Sequence, residues 1–293
     1  MSNTLKNVPC VVRKGHPSYP TQLLDVRSPP KQLFVLGEVA ALSSKPMVAV
    51  VGTRKISDYG RQVLYFLIPP LVKAGVTIVS GLALGIDGLA HEIALEHGGK
   101  CIAVLGNGLD EIYPREHQDL AERILSAQGT IISEQEGGVK PLRQFFPARN
   151  RIISGLAKTT IVVEAQHKSG SLITARFALE QQRTVYAVPG SIFGENQQGV
   201  NALIADGAKP FLSVDQVLQE LYGSIPVMKE LQGKLSFESP DEESIYGLLN
   251  EPRSLDELSA TSNFTMSTLN QTLSLMELKG SIRSVGGMRF IRI

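Results

Sequence analysis

Between Met47 and about Tyr222 the chain alternates two patterns of apolar and polar residues. Short β-branched runs, apolar at nearly every position, begin at Met47 (MVAVV), Val76 (VTIV), Cys101 (CIAVL), Thr130 (TIIS), Thr159 (TTIVVE) and Thr184 (TVYAV). Unbroken apolarity over so few residues predicts strands buried on both faces, as in a parallel sheet covered by helices. The stretches GIDGLAHEIALEHG, PREHQDLAERILSAQ and SLITARFALEQQ instead space their apolar residues for amphipathic helices. Repeated strand–helix alternation predicts an α/β fold with a doubly wound sheet, whose strand order the pattern leaves open. The helical pattern after Tyr59 runs into Pro69–Pro70, so a helix ending near Leu67 and a fresh turn at Pro69 are expected.

Residues 1–46 show little periodicity. One short amphipathic turn, the pair Pro29–Pro30 and a strand-like LFVLG predict an N-terminal extension that packs on the core domain, 47–223, instead of folding alone. Residues 224–240 mix Pro, Gly, Ser and charge and are expected to be a linker. From 241 to 293 the style changes: ESIYGLLNE, SLDELSATS and TMSTLNQTLSLMELKG predict helices, and SIRSVGGMRFIRI predicts a hairpin turning at Gly286–Gly287. Helices followed by a terminal hairpin describe a winged-helix-like domain. Its third helix, where a duplex reader would sit, offers only Glu277 and Lys279 as charges, and the whole domain carries five basic against seven acidic side chains, net −2. That balance disfavours duplex binding and favours a protein-contact or dimer-supporting role.

Composition narrows the classes further. At 293 residues, 43% hydrophobic and 19% charged, the chain has the makeup of a globular protein able to bury one large or two modest cores. The net charge of +1 means that any polyanion must be recognised by local clusters. Cys10 and Cys101 form neither a disulfide framework nor a zinc pattern. No apolar run is long enough for a membrane span, and MSNTLKNVPC lacks a secretory core, so a cytoplasmic protein is expected.

Candidate chemistry gathers at the turns after the strands. The segment FPARNRIISGL, from Phe146, predicts a helix start with Arg149 and Arg151 on its first turn and Asn150 between them. Free N–H groups at a helix N-terminus favour anions, and planar guanidiniums suit phosphate. Phe145 and Phe146 offer faces for a base. The same residues would also serve a plain core helix with its arginines solvated and its phenylalanines buried. The first strand ends in Gly52-Thr53-Arg54, where Gly52 permits close backbone approach to an anion and Arg54 supplies charge. Its spacing is neither a dinucleotide fingerprint nor a P-loop. A second Gly-rich turn contains Ser80-Gly81 and Gly85-Ile86-Asp87-Gly88; Asp87 is expected to cap the helix that follows. Asp87 and His91 share a helical face, but Leu95 breaks any H-E-x-x-H motif, and no metal is predicted.

The turn Lys168-Ser169-Gly170-Ser171 forms a third anion cradle, with Arg176 and Thr174 nearby. Glu164 before it is either a base or a carboxylate satisfying backbone N–H groups or pairing Arg151. After Val188-Pro189-Gly190, Asn201 is placed to hydrogen-bond a base or sugar. No Ser/His/Asp or Cys/His arrangement stands out. Such sites, rich in phosphate contacts and poor in catalytic groups, point to binding more than turnover.

GTR (Gly52–Arg54), SGLALGIDGLAH (Ser80–His91), FPARNRIISGL, VVEA (Val162–Ala165), SGSLITA (Ser169–Ala175), VPG (Val188–Gly190) and GVNALIADGA (Gly199–Ala208) occur in this order. Together they resemble the DNA-processing protein A family, also called DprA or Smf, over about residues 19–222. The resemblance implies an extended Rossmann fold, single-stranded DNA binding without catalysis or cofactor, loading of the RecA recombinase onto that DNA in natural transformation and recombination, and a homodimer. It implies that Arg54 is a principal phosphate contact framed by Gly52 and Thr53. Gly81, Arg149, Asn150, Arg151, Lys168, Ser169, Gly170, Ser171 and Asn201 would complete the DNA site, with Phe146 stacking a base. Many members carry a longer helical domain ahead of the Rossmann part, whereas 46 residues precede it here, so the resemblance sets no expectation for that domain's function. The competing reading is a nucleotide phosphoribohydrolase-like enzyme, which SGSLITARFALE faintly resembles; the Arg149/Arg151 pair and the missing Pro-Gly-Gly turn weigh against it.

Overall fold

The computed structural model describes residues 9–43, 46–223, 237, 239–278, 281–285 and 289–292. The chain divides into two compact units, residues 1–225 and 226–293.

In the first unit the strands are β1 (Cys10–Arg13), β2 (Gln32–Gly37), β3 (Met47–Val51), β4 (Thr77–Ser80), β5 (Cys101–Leu105), β6 (Thr130–Ser133), β7 (Thr159–Val162), β8 (Thr184–Ala187) and β9 (Lys209–Pro210). They form one nine-stranded sheet in the order β1-β2-β6-β5-β4-β3-β7-β8-β9. All pairings from β6 across to β9 are parallel. Every residue of β3 through β7 is buried, which is the physical reason these strands lack any polar alternation. The major helices between and after them are α1 (Asp58–Lys73), α2 (Ile86–Glu96), α3 (Gln118–Ser126), α4 (Phe145–Leu156), α5 (Gly170–Glu180), α6 (Gln198–Ala205) and α7 (Val214–Tyr222). From β3 the chain adds strands on one side, then returns to lay β7 against β3 and extends the other way. That reversal opens a crevice beyond the carboxyl ends of β3 and β7, the topological switch point.

One expectation is corrected. Helix α1 runs without interruption through Pro69 and Pro70, where a break near Leu67 was expected. An interior proline costs about 3 kcal/mol, but Leu64, Leu67, Ile68 and Leu71 are all fully buried on one stripe spanning both prolines. Burial contributes about 1.5–3 kcal/mol per such side chain, enough to hold the helix together. The N-terminal segment packs on the core by adding two strands to its sheet. β2 pairs antiparallel with β6, and β1 pairs with β2. Val12, Leu23, Val26, Leu33 and Val35 share one core cluster with Ile152, Ile153 and Leu156 of α4. A Cβ on Gly155 would stand 2.6 Å from Val26 Cγ2, so glycine lets this segment lie directly on α4.

The second unit contains α8 (Pro240–Leu248), β10 (Arg253–Ser254), α9 (Leu255–Thr261), α10 (Met266–Leu278), β11 (Ile282–Ser284) and β12 (Arg289–Arg292). β12 is the centre of a small antiparallel sheet between β10 and β11. Ser254 and Glu257 form a capping box at the start of α9. Ile245, Leu249, Leu258, Leu269, Leu273, Met276 and Ile282 make its separate core. Most of the expected linker and the turn at Gly286–Gly287 lie outside the described residues.

Candidate nucleic-acid interface

An open crevice of about 740 Å³ lies at the switch point. It is walled by the loops after β3 (Gly52–Lys55) and β7 (Gln166–Ser169), the start of α5, and one face of α4. Phe146, Arg149, Asn150 and Ile153 of α4 line it at positions i, i+3, i+4 and i+7, one helical face. Arg54, Lys55, Arg143, Arg149 and Lys168 supply positive charge against the single lining carboxylate of Asp87.

Each wall has a local cause. Gly52 lies so close to Ile86 that an added Cβ would stand 2.5 Å from its Cγ1, and Thr53 N–H donates to Glu164 O at 2.8 Å. Gly85, at φ +80°, brings the start of α2 against the Thr53 carbonyl, and Ile86 N–H donates to that oxygen at 3.1 Å. The β3 loop is thereby fixed from beneath while Arg54 and Lys55 stay exposed. On the other wall Ser169 caps α5, with its hydroxyl 2.8 Å from that of Ser171. Gly170 faces open space, leaving this helix N-terminus accessible to an anion. The Arg54 guanidinium stands 5.9 Å from the centre of the half-buried Phe146 ring, which in turn packs 5.5 Å from Tyr113.

The floor is built around a buried guanidinium. Arg149 Nη1 donates to Gly81 O at 2.9 Å and to Val104 O, while Nε donates to Asn150 Oδ1 at 3.2 Å. Asn150 Nδ2 reaches Gly170 O at 3.1 Å and so ties the floor to the α5 wall. Burial lowers the Arg149 pKa to about 10, with Asp87 opposing that shift and Arg54 adding to it, so the group stays charged near neutrality. Burial likewise raises Asp87, opposed by Arg149 and by the Gly81 N–H, which donates to Asp87 Oδ2 at 3.0 Å.

The expected residues do not all converge. Gly52, Thr53, Arg54, Phe146, Arg149, Asn150, Lys168, Ser169, Gly170 and Ser171 line the crevice. Gly81 sits beneath the floor, where a Cβ would meet both Asp87 and Arg149 below 3 Å. Arg151 turns away to Glu134 at 2.7 Å and to Ser28 O at 2.9 Å. Because α4 begins at Phe145, both arginines lie beyond its first turn, and residues two apart on a helix cannot face one ligand. Asn201 clasps Gly190, accepting from its N–H at 3.3 Å and donating to its carbonyl at 3.0 Å. Asp87 falls inside α2, whose cap position is Gly85, so its expected capping role is replaced by the bond to Gly81.

Glu164 is fully buried and does not pair Arg151. Its carboxylate accepts from Ser57 N–H at 3.0 Å, from the Ser57 hydroxyl and from Gln197 Nε2 at 2.9 Å. Lys55, Tyr113 and Arg143 line the crevice without having been singled out in the sequence. Tyr113 follows β5 and Arg143 follows β6, so position at the carboxyl edge of a parallel strand was the signal available.

The sequence profile of the family described as DNA recombination-mediator protein A matches residues 10–222. The chain belongs to the DprA/Smf family. The profile of the DprA winged helix domain matches residues 234–288. Protein Smf of Escherichia coli is 46% identical over 227 residues, covering 78% of this chain and 60% of that protein. The chain therefore spans less than two thirds of that DprA/Smf relative. The DNA processing protein DprA of Bacillus subtilis is 43% identical over 69% of this chain and 68% of its own length. Among solved structures, DprA from Streptococcus pneumoniae superposes with a TM-score of 0.69 at 41% identity, covering 74% of this chain and 75% of that one. DNA processing protein A of Helicobacter pylori, whose structure is described as revealing a single-stranded DNA binding mode, superposes at 0.65 with 31% identity, over 73% of this chain and 95% of that one.

Proposed function

We propose that this chain holds single-stranded DNA in the switch-point crevice and delivers it to the RecA recombinase during transformation and recombination in the cytoplasm. The observation that carries the reading is the charge balance of the crevice: five cations face one carboxylate, beside an aromatic pair. Arg54, Lys55, Arg143 and Lys168 are exposed and contact backbone phosphates, and Phe146 with Tyr113 offers ring surface to any base. Binding of this kind tolerates sequence and weakens steeply with salt. The Helicobacter pylori relative's single-stranded DNA binding mode supports the assignment.

A non-catalytic role is supported by the fate of the two carboxylates nearest the crevice. Glu164 is enclosed by its hydrogen-bond donors, and Asp87 is engaged in the floor. Glu164 is closed off from a substrate, and Asp87, although it lines the crevice, is almost wholly buried and holds the Gly81 N–H instead of standing free as a base. A homodimer is part of the proposal: Phe66 and Leu212 expose apolar surface around the Phe66–Phe211 ring contact, which a second copy would cover. In the second unit Arg253 and Arg289 are paired with Glu251 and Glu257, which supports a protein contact there over a duplex reader.

Fluorescence anisotropy of labelled single-stranded and duplex oligonucleotides, titrated at several salt concentrations, tests the reading. Preference for the single strand with a steep salt dependence is expected. Duplex preference, or release of free base from nucleotide monophosphates, would replace it with the enzyme or regulator alternatives.

A further inference from the structure

The loop after β8 presents two apolar side chains that no packing in the fold accounts for. Ile192 is 77% and Phe193 is 89% exposed. The loop itself is firmly built. Gly190 is clasped by Asn201, and Tyr59 Oη donates to Pro189 O at 2.7 Å. The tip closes on itself through Gly194 N–H to Ser191 O at 3.1 Å and Phe193 N–H to Ser191 Oγ at 3.3 Å. Gly190 and Gly194 both lie against Gln197, which is held in turn by Glu164.

The same loop is tied to the crevice rim. Asn196 Nδ2 donates to Lys55 O at 2.8 Å, Gln166 Nε2 donates to Asn196 Oδ1 at 3.2 Å, and Ala165 N–H donates to Asn196 O at 2.7 Å. Lys55 and Gln166 are lining residues of the crevice. Phe193 is three residues from Asn196, so its backbone stands within about 11 Å of that rim anchor.

We propose that Ile192 and Phe193 form a second base-stacking point for single-stranded DNA leaving the crevice on the β8 side. The inference rests on the crevice being the DNA site. A rigid loop with an outward aromatic loses little entropy when a base stacks on it, because the backbone is already ordered and the ring has few rotamers. Stacking needs no hydrogen-bond code, so the contact suits the sequence-tolerant binding of the crevice. Lys55 and Lys168, exposed on the same rim, are available to the phosphates between the two points. The occupant is nucleic acid and not a second copy of the chain because the loop that carries the apolar tip is bonded through Asn196 to Lys55, an exposed cation of the crevice rim.

The chain contains no tryptophan, so Phe193→Trp places a single indole reporter at the tip. The full chain, Phe193→Ala and Phe193→Trp are titrated with oligo(dT) of about 4 and about 15 nucleotides. Phe193→Ala is expected to weaken the longer oligonucleotide about 5- to 50-fold and leave the shorter one unchanged, since only the longer strand reaches past the crevice. The indole emission of Phe193→Trp should quench with the longer oligonucleotide alone. Equal affinity of Phe193→Ala and the unaltered chain for both lengths overturns the proposal. So does indole emission that follows protein concentration without DNA, which would make the tip a contact between copies. Failure of the unaltered chain to bind either oligonucleotide would sink the crevice reading itself, a result separable from loss of length dependence.

Discussion

Replacing Glu164 with alanine tests whether one buried carboxylate organises the whole binding edge. Its oxygens accept from the Ser57 N–H, the Ser57 hydroxyl and the Gln197 amide, and Gly60 of α1 lies close enough that a Cβ there would stand 2.5 Å from Oε2. The carboxylate thus joins the β3 loop, the first turn of α1 and the segment after β8. In Glu164→Ala the Ser57 N–H and the buried Gln197 amide lose their acceptor, while the half-exposed Ser57 hydroxyl can turn to water. Each stranded buried donor costs about 1–3 kcal/mol, so about 2–6 kcal/mol is expected for the two. For a domain of this size that lowers the melting midpoint by about 4–24 °C. Glu164→Gln keeps one carbonyl oxygen for the Ser57 N–H and should recover more than half of the loss. Circular dichroism melts of the three proteins, with anisotropy of a single-stranded oligonucleotide well below each midpoint, read both effects. Melting of Glu164→Ala within about 2 °C of the unaltered protein, under 1 kcal/mol, would refute the argument.

Arg54 is exposed and makes no ion pair among the described residues, so Arg54→Ala should cost about 1–3 kcal/mol of single-stranded DNA affinity with an unchanged melt, and should lower the salt slope by about 1. Unchanged affinity by anisotropy would place the site elsewhere. His91 is fully buried with neither ring nitrogen partnered, and burial depresses its pKa from 6.5 to about 3. The unfolded chain takes up this proton below pH 6.5 and the folded chain does not until about pH 3, so stability is complete above pH 6.5 and falls as pH drops. The loss is about 4–5 kcal/mol, and His91→Leu should flatten the acid limb of a stability–pH profile; an identical profile would count against the burial of a neutral imidazole. Deleting residues 241–293 should leave single-stranded affinity within about twofold, because the second unit is net acidic. A near-complete loss would reassign the second unit to DNA contact.

What the chain determines by itself is the set of elements buried on both sides. β3 through β7 were legible because two-sided burial leaves no room for polar residues, and the turns after β3 and β7 were legible because glycine, serine and cations cluster there. The second unit was legible for a similar reason, since its helices carry their own caps and a compact set of apolar positions. Tertiary structure alone decided the rest. Strand order, and with it the switch point, depends on pairings between residues far apart in sequence, such as Val48 with Thr159. Pro69–Pro70 reads as a break, yet the surrounding core overrides it. Arg149 and Arg151 look equivalent on paper, but two residues of helical rotation send one into the crevice floor and the other to Glu134. Composition can place a charge near a site; only the direction of its side chain, fixed by the packing of α4, decides which ligand it meets.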